Sequence, residues 1–274
     1  MICRFPVQLP KVDSSGKKFF IYVPCGHCAW CLRQKRNEWF VRMLEESKHH
    51  LYTRFVTLDY RDEDLPYDLN HETGELVPCV SYRDIELFHK RLRKNYKFRF
   101  FLSSEYGKHT NRPHYHAIYW SDEKIPFYDL WSKGEHGCDL PAKVGSFKYV
   151  TKYILKGSYV PAGAIDNFHV MSRRPGIGVD FCDHVKDNTV FYRYYNKIMR
   201  LPQYYRRKFM DGLSPELRSI ESEKTLDYMS SQPLYDPKLM DLFYRNAPDG
   251  QTIHDFISDL YRSDFLKQIQ INSK

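Results

Sequence analysis

The feature that most constrains this chain is Arg112-Pro113-His114-Tyr115-His116-Ala117-Ile118-Tyr119-Trp120. It is β-branched and aromatic enough to be a strand, and it contains two histidines separated by one residue. Successive strand residues point to opposite faces. His114 and His116 therefore share one face, and Tyr115 occupies the other. Two imidazoles one pleat repeat apart can hold one divalent cation together. Phe98 to Ser104 reads as the preceding strand, and the polar run Gly107 to Arg112 reads as a hairpin loop. Such a hairpin returns Glu105 to the side of the histidines. A carboxylate with two imidazoles and open water positions suits Mg²⁺ or Mn²⁺. Two unrelated surface histidines and a solvated carboxylate are the plainer alternative.

A second pattern lies in Tyr149-Val150-Thr151-Lys152-Tyr153-Ile154-Leu155-Lys156. Residues four apart share a helix face, so Tyr149 stacks above Tyr153 and Lys152 above Lys156. A core face of tyrosines with snorkelling lysines satisfies the same spacing. Taken with the histidines, the pattern suggests phosphoryl transfer. A tyrosine oxygen attacks a phosphodiester, leaving a 5′-phosphotyrosine and a free 3′-OH. Tyrosine ionises near pH 10, so the attack needs a nearby cation. Two tyrosines permit two transfers in succession.

The remaining elements set an α+β frame. Thr53 to Tyr60 is a predicted strand, and Asp62 to Glu75 a predicted loop. Ser81 caps a helix whose stripe is Ile85, Phe88 and Leu92. Further helices are predicted over Leu32–His50, Ile125–Ser132 and Ser146–Lys156. Three segments follow: a cysteine-rich segment with its helix over 1–50, a catalytic core over 51–160, and a helical, DNA-contacting extension over 161–274.

Four of the seven cysteines lie near the start. Cys25, Cys28 and Cys31 are spaced by two residues each, with Cys3 upstream. Four thiolates complete a tetrahedral structural zinc site, and His27 competes with Cys3 for the fourth position. A reduced thiol cluster without metal is the alternative.

The net charge of +8 and the 16% aromatic content fit a polyanionic, partly unpaired partner. Phe191-Tyr192-Arg193-Tyr194-Tyr195 and Tyr204-Tyr205-Arg206-Arg207-Lys208 interleave rings with cations. They suit either single-stranded DNA or a packed aromatic seam. Arg173-Arg174 offers a phosphate contact from a loop, or plain solvated charge. No apolar run is long enough for a membrane span. No apolar stretch follows Met1-Ile2-Cys3-Arg4, so the expected setting is intracellular.

The combination resembles the HUH endonucleases, and within them the replication initiators of microviruses, small single-stranded DNA phages, in their gokushovirus branch. The motifs are Thr57-Leu58-Asp59-Tyr60, Arg112-Pro113-His114-Tyr115-His116, and Tyr149-x-x-x-Tyr153 with Lys152 and Lys156. Pro24-Cys25-Gly26-His27-Cys28-x-x-Cys31, Ser172 to Gly178, and Leu201-Pro202-Gln203-Tyr204-Tyr205 extend it to about residue 210. One departure is Asp59, where a second Thr is common.

The resemblance implies a central antiparallel sheet flanked by helices, with the histidines on a middle strand and the tyrosines on a facing helix. It implies rolling-circle replication: nicking of the origin in supercoiled duplex, covalent retention of the 5′ end, and rejoining to release circular single-stranded DNA. The setting would be the cytoplasm of a bacterial host. The chain has no P-loop, so unwinding is expected from a host helicase, with host single-strand-binding protein. The alternatives are another HUH enzyme, such as a plasmid initiator or transposase, and a non-catalytic zinc-containing protein that only binds nucleic acid.

Overall fold

The computed structural model describes residues 3, 5–12, 15–152, 159–185, 191–194, 197–231, 237–248, 250–251, 253, 256 and 259. Their elements, in chain order, begin with β1 (Val7–Val12), β2 (Lys18–Val23), α1 (Ala29–Ser47) and β3 (Tyr52–Leu58). Next come β4 (Tyr67–Leu69), β5 (Leu76–Pro78), α2 (Tyr82–Leu92), β6 (Arg99–Tyr106) and β7 (Pro113–Ser121). Then follow β8 (Cys138–Pro141), α3 (Val144–Lys152), β9 (His169–Met171), β10 (Phe191–Tyr194) and β11 (Lys197–Arg200). The helices α4 (Gln203–Asp211), α5 (Pro215–Ser231) and α6 (Pro237–Asn246) complete the order. Two compact units result: Gln34–Gly212, and Met1–Arg33 together with Leu213–Lys274.

The larger unit is built on a five-stranded antiparallel sheet in the order β8-β3-β7-β6-β9. The mixed α+β class with a central antiparallel sheet is as the sequence implied. Alternation along β7 divides the core in two. Tyr115, Ala117 and Tyr119 point to one face with Val56, Leu58, Phe100 and Leu102. There they pack on Ile85, Phe88 and Leu92 of α2. Ile118, Trp120 and Phe101 point to the other face, against Phe40, Val41 and Met43 of α1 and Phe147 and Val150 of α3. Helix α2 starts at Ser81, whose hydroxyl oxygen accepts the Asp84 N–H at 3.1 Å. Tyr115, wholly buried, accepts the Ser81 N–H at 2.8 Å and so anchors that start to β7.

Two stretches differ from the sequence expectation. Residues 125–132 form consecutive turns instead of a helix. Side chains supply the bonds a helical ladder would have made: Phe127 N–H donates to Asp139 at 3.0 Å, and Trp131 Nε1–H to the Asp59 carbonyl at 2.6 Å. Ile125, Phe127 and Trp131 are all buried, at a spacing no single helix face provides. The predicted loop 62–75 contains β4 and leads into a β4–β5 arm, closed by Asn70, whose side chain accepts the Glu72 N–H at 2.9 Å.

The smaller unit contains the antiparallel β1–β2 hairpin, the cysteines beside it, and the C-terminal helices, with α5 packed on β2. Pairing of Val7 with Val23 brings the chain start back to the Cys25–Cys31 turn.

Candidate metal and nucleophile site

The β6–β7 register places Glu105 opposite His114, and Ser103 opposite His116. Both imidazoles turn Nε2 toward the same carboxylate oxygen. Glu105 Oε2 is 3.3 Å from His114 Nε2 and 3.2 Å from His116 Nε2. The three residues form one cluster capable of holding a metal ion. The far sides of the rings are also held. His114 Nδ1 lies 3.3 Å from the Arg112 carbonyl, which can only accept, so the proton sits on Nδ1 and Nε2 keeps its lone pair. His116 Nδ1 lies 3.1 Å from Thr57 Oγ1 on the neighbouring strand. A donor set of two oriented imidazoles and a carboxylate fits a divalent cation. Burial holds the His116 imidazole below its usual range, against the opposing pull of Glu105.

Helix α3 delivers Tyr149 to this cluster. Phe147, Val150 and Thr151 are buried, so Tyr149 projects from the opposite side, 41% exposed. Its hydroxyl is 3.5 Å from His116 Nε2, and its ring meets His116 edge-on at a centroid distance of 4.9 Å. Lys152 Nζ is 5.9 Å from the centre of that ring. Of the sequence-predicted site residues, Glu105, His114, His116, Tyr149 and Lys152 thus lie together. Tyr153 and Lys156 lie outside the described residues.

Sequence reading assigned no role to Thr57, although it quoted the motif containing it. The β3–β7 pairing that brings Thr57 to His116 spans 59 residues and has no local signature. Asp59, the departure in that motif, is turned away from the triad. It accepts from the His136 N–H at 2.7 Å and the Tyr128 hydroxyl at 3.1 Å, pinning the 128–136 turn. Among the aromatic–basic stretches, Tyr192 and Tyr205 are buried in the core, and Tyr204 stacks on Arg42, whose guanidinium carbon is 3.9 Å from the ring centre. These three rings are packing, not an open stacking platform. Arg173 and Arg174 are exposed.

In the smaller unit, Cys3, Cys25, Cys28 and Cys31 gather, three of them buried. Sulfur–sulfur distances are 3.6 Å for Cys3–Cys31 and 3.9 Å for both Cys3–Cys28 and Cys25–Cys31. Tetrahedral zinc with bonds of about 2.3 Å separates its sulfurs by roughly 3.8 Å. Burial pushes the Cys3 and Cys31 thiols up, so thiolates there need a cation. His27 is exposed and not part of the cluster.

The triad and Tyr149 lie within a stretch, residues 53–158, that matches a family of phage-type replication proteins, described as Replication-associated protein ORF2. The chain is also similar to curated microvirus proteins. It is 26% identical to Replication-associated protein ORF2 of Spiroplasma virus 4, over 86% of this chain and 80% of that protein. It is 26% identical to Replication-associated protein ORF4 of Chlamydia phage 1, over 62% of this chain and 49% of the relative. Replication-associated protein VP4 of Bdellovibrio phage phiMH2K is likewise 26% identical, over 48% of each. The chain thus spans about half the length of the last two relatives. These matches bear out the resemblance to microvirus replication initiators. No solved structure matches significantly. Among the described residues, no helix is long and apolar enough to cross a membrane.

Proposed function

We propose that this chain is an HUH-type rolling-circle replication initiator of a small single-stranded DNA phage, and that it nicks and rejoins one DNA strand through Tyr149. The observation that carries the reading is the 3.5 Å approach of the Tyr149 hydroxyl to His116 Nε2, itself 3.2 Å from Glu105. A nucleophile and a cation-binding triad then meet at one phosphate.

Glu105, His114 and His116 hold Mg²⁺ or Mn²⁺, which supplies Lewis acidity toward a non-bridging phosphate oxygen. Thr57 and the Arg112 carbonyl orient the two rings. Tyr149 Oη bonds to phosphorus as the P–O3′ bond breaks. The phenol proton passes to solvent, and the departing 3′ oxygen takes up a proton to become the free 3′-OH. Lys152, beside the ring, favours the phenolate and offsets charge building on the phosphate. The phosphotyrosine preserves the bond energy, so a 3′-OH can reverse the step and rejoin the strand. Tyr153, with Lys156, serves as the second nucleophile for the paired transfer. The four cysteines hold a structural zinc ion. The relatives' names place them in phage replication. For this chain we infer action on origin DNA in the host cytoplasm, with a host helicase and single-strand-binding protein.

The test is a denaturing gel of the protein with labelled single-stranded oligonucleotides tiling its own replicon's origin, in Mn²⁺ and in EDTA. A metal-dependent, protease-sensitive shifted band, absent in His114→Ala, is expected. DNA binding with no covalent band on any oligonucleotide would instead identify a non-catalytic nucleic-acid-binding protein.

A further inference from the structure

Beside the triad, on the side away from Glu105, lies an open recess of about 350 Å³. Its walls are Phe55 and Thr57 of β3, His116 of β7, and Gly145, Ser146 and Tyr149 of α3. That volume falls in the range of about 300–1,000 Å³ typical of small-ligand sites. The Phe55 ring lies parallel to His116 at a tilt of 8° and edge-on to Tyr149 at 5.8 Å. It forms an aromatic wall continuous with the triad. At the entrance, a Cβ built on Gly145 meets nothing within 4 Å. The residue type leaves the recess open, and its backbone does not require glycine, since its φ is ordinary. Ser146 Oγ accepts the Lys143 N–H at 3.1 Å, so its own hydroxyl hydrogen can be donated.

We infer that this recess receives one unstacked nucleobase of the bound strand, from a nucleotide adjoining the phosphate at Tyr149. The inference rests on the proposed function and adds to it the site that selects the strand position. A phosphate between Tyr149 Oη and His116 leaves its neighbouring base one sugar away, at the mouth of the recess. The base faces Phe55 by stacking, which accepts any base. The Ser146 hydroxyl can donate to a ring nitrogen or carbonyl and adds a preference among bases. A single-stranded substrate satisfies this, because an unpaired base turns out of the stack at little cost.

The test measures binding in EDTA, so that cleavage does not intervene. Fluorescent single-stranded origin oligonucleotides carry one abasic site, moved stepwise along the strand. For the wild-type chain, affinity is expected to fall about 5-fold or more at one position. Gly145→Leu fills the recess without meeting a neighbour; Gly145→Ala is the control for the loss of glycine. Gly145→Leu should bind the intact oligonucleotide as weakly as the wild type binds the abasic one, and should lose nothing further on the abasic strand. Gly145→Ala should resemble the wild type. An abasic scan with no sensitive position, or a Gly145→Leu chain with wild-type affinity for the intact strand, overturns the inference. The same oligonucleotides with Mn²⁺ report covalent adduct separately, so a missing adduct refutes the nucleophile while the binding scan still decides the recess.

Discussion

Thr57 Oγ1 lies 3.1 Å from His116 Nδ1, joining β3 to the middle of the triad on β7. When Nδ1–H donates to this hydroxyl, His116 Nε2 keeps its lone pair for a cation. Outer partners of this kind typically change metal affinity 10- to 100-fold when removed. Thr57→Val keeps the shape and removes the hydroxyl. It is expected to weaken Mn²⁺ binding about 10-fold, measured by titration calorimetry, with an unchanged melting temperature. Thr57→Ser should restore most of the affinity. Equal affinity in all three proteins would show that the contact does not orient the ring.

Tyr149 is the nucleophile that geometry favours, so Tyr149→Phe should retain origin binding and lose the first covalent adduct. Phenylalanine keeps the edge-on contact with His116 and removes only the attacking oxygen. The loss expected is about 10³-fold or more in the rate of adduct formation, in line with removing a unit of the catalytic machinery. Quenched-flow gels on labelled oligonucleotides measure it. Wild-type adduct yield in Tyr149→Phe would move the chemistry to Tyr153.

How much of this site was readable depends on how local each relationship is. His114 and His116 share a face by strand alternation alone, and Glu105 joins them through a short hairpin, so residue order was sufficient. Thr57 comes from a strand 59 residues away, and only the sheet order reveals it. Tyr149 was recognisable by helical spacing, but which side of α3 faces the triad depends on Phe147 and Val150 entering the core. The choice of Cys3 over His27 needed the β1–β2 register, which carries the chain start back to the cysteine turn. The 125–132 segment misled because its apolar residues are anchored singly, by Asp59 and Asp139, beyond the reach of periodicity.

The four clustered sulfurs are spaced for tetrahedral zinc. Purified protein is expected to contain about one zinc per chain, read by atomic emission. Cys28→Ser should lose it and lower the melting temperature, and strong chelation should lower that of the wild type alone. Zinc-free protein with the wild-type melting temperature would leave the cluster as ordinary buried thiols.

His89 is buried between α2 and the sheet, its Nε2 2.8 Å from the Tyr119 hydroxyl. Burial, with a smaller push from the Arg93 charge, drives it down to about 3 from its ordinary 6.5. In the unfolded chain the same imidazole titrates near 6.5. Below that pH the unfolded state takes up a proton that the folded state refuses, so stability falls as pH falls through this window. From pH 6.5 to about 5 the loss from this one group approaches about 2 kcal/mol. Two other groups in the network of α1 do not generate this slope. His50 is raised by its bond to Glu46, so its contribution is present in acid and is lost as pH rises, the opposite sign. For Glu46, burial opposes ionisation, but bonds from His50, the Gly178 N–H and Arg99 prevail and hold it below the usual carboxylate range. Its contribution is lost only below that range, under the His89 window. His89→Gln keeps a side chain able to reach Tyr119 and removes the titration. Urea unfolding at several pH values should therefore show a shallower acid slope for His89→Gln than for the wild type, with the curves converging in shape above pH 7. Parallel curves across the whole range would mean that His89 accepts its proton in the folded chain.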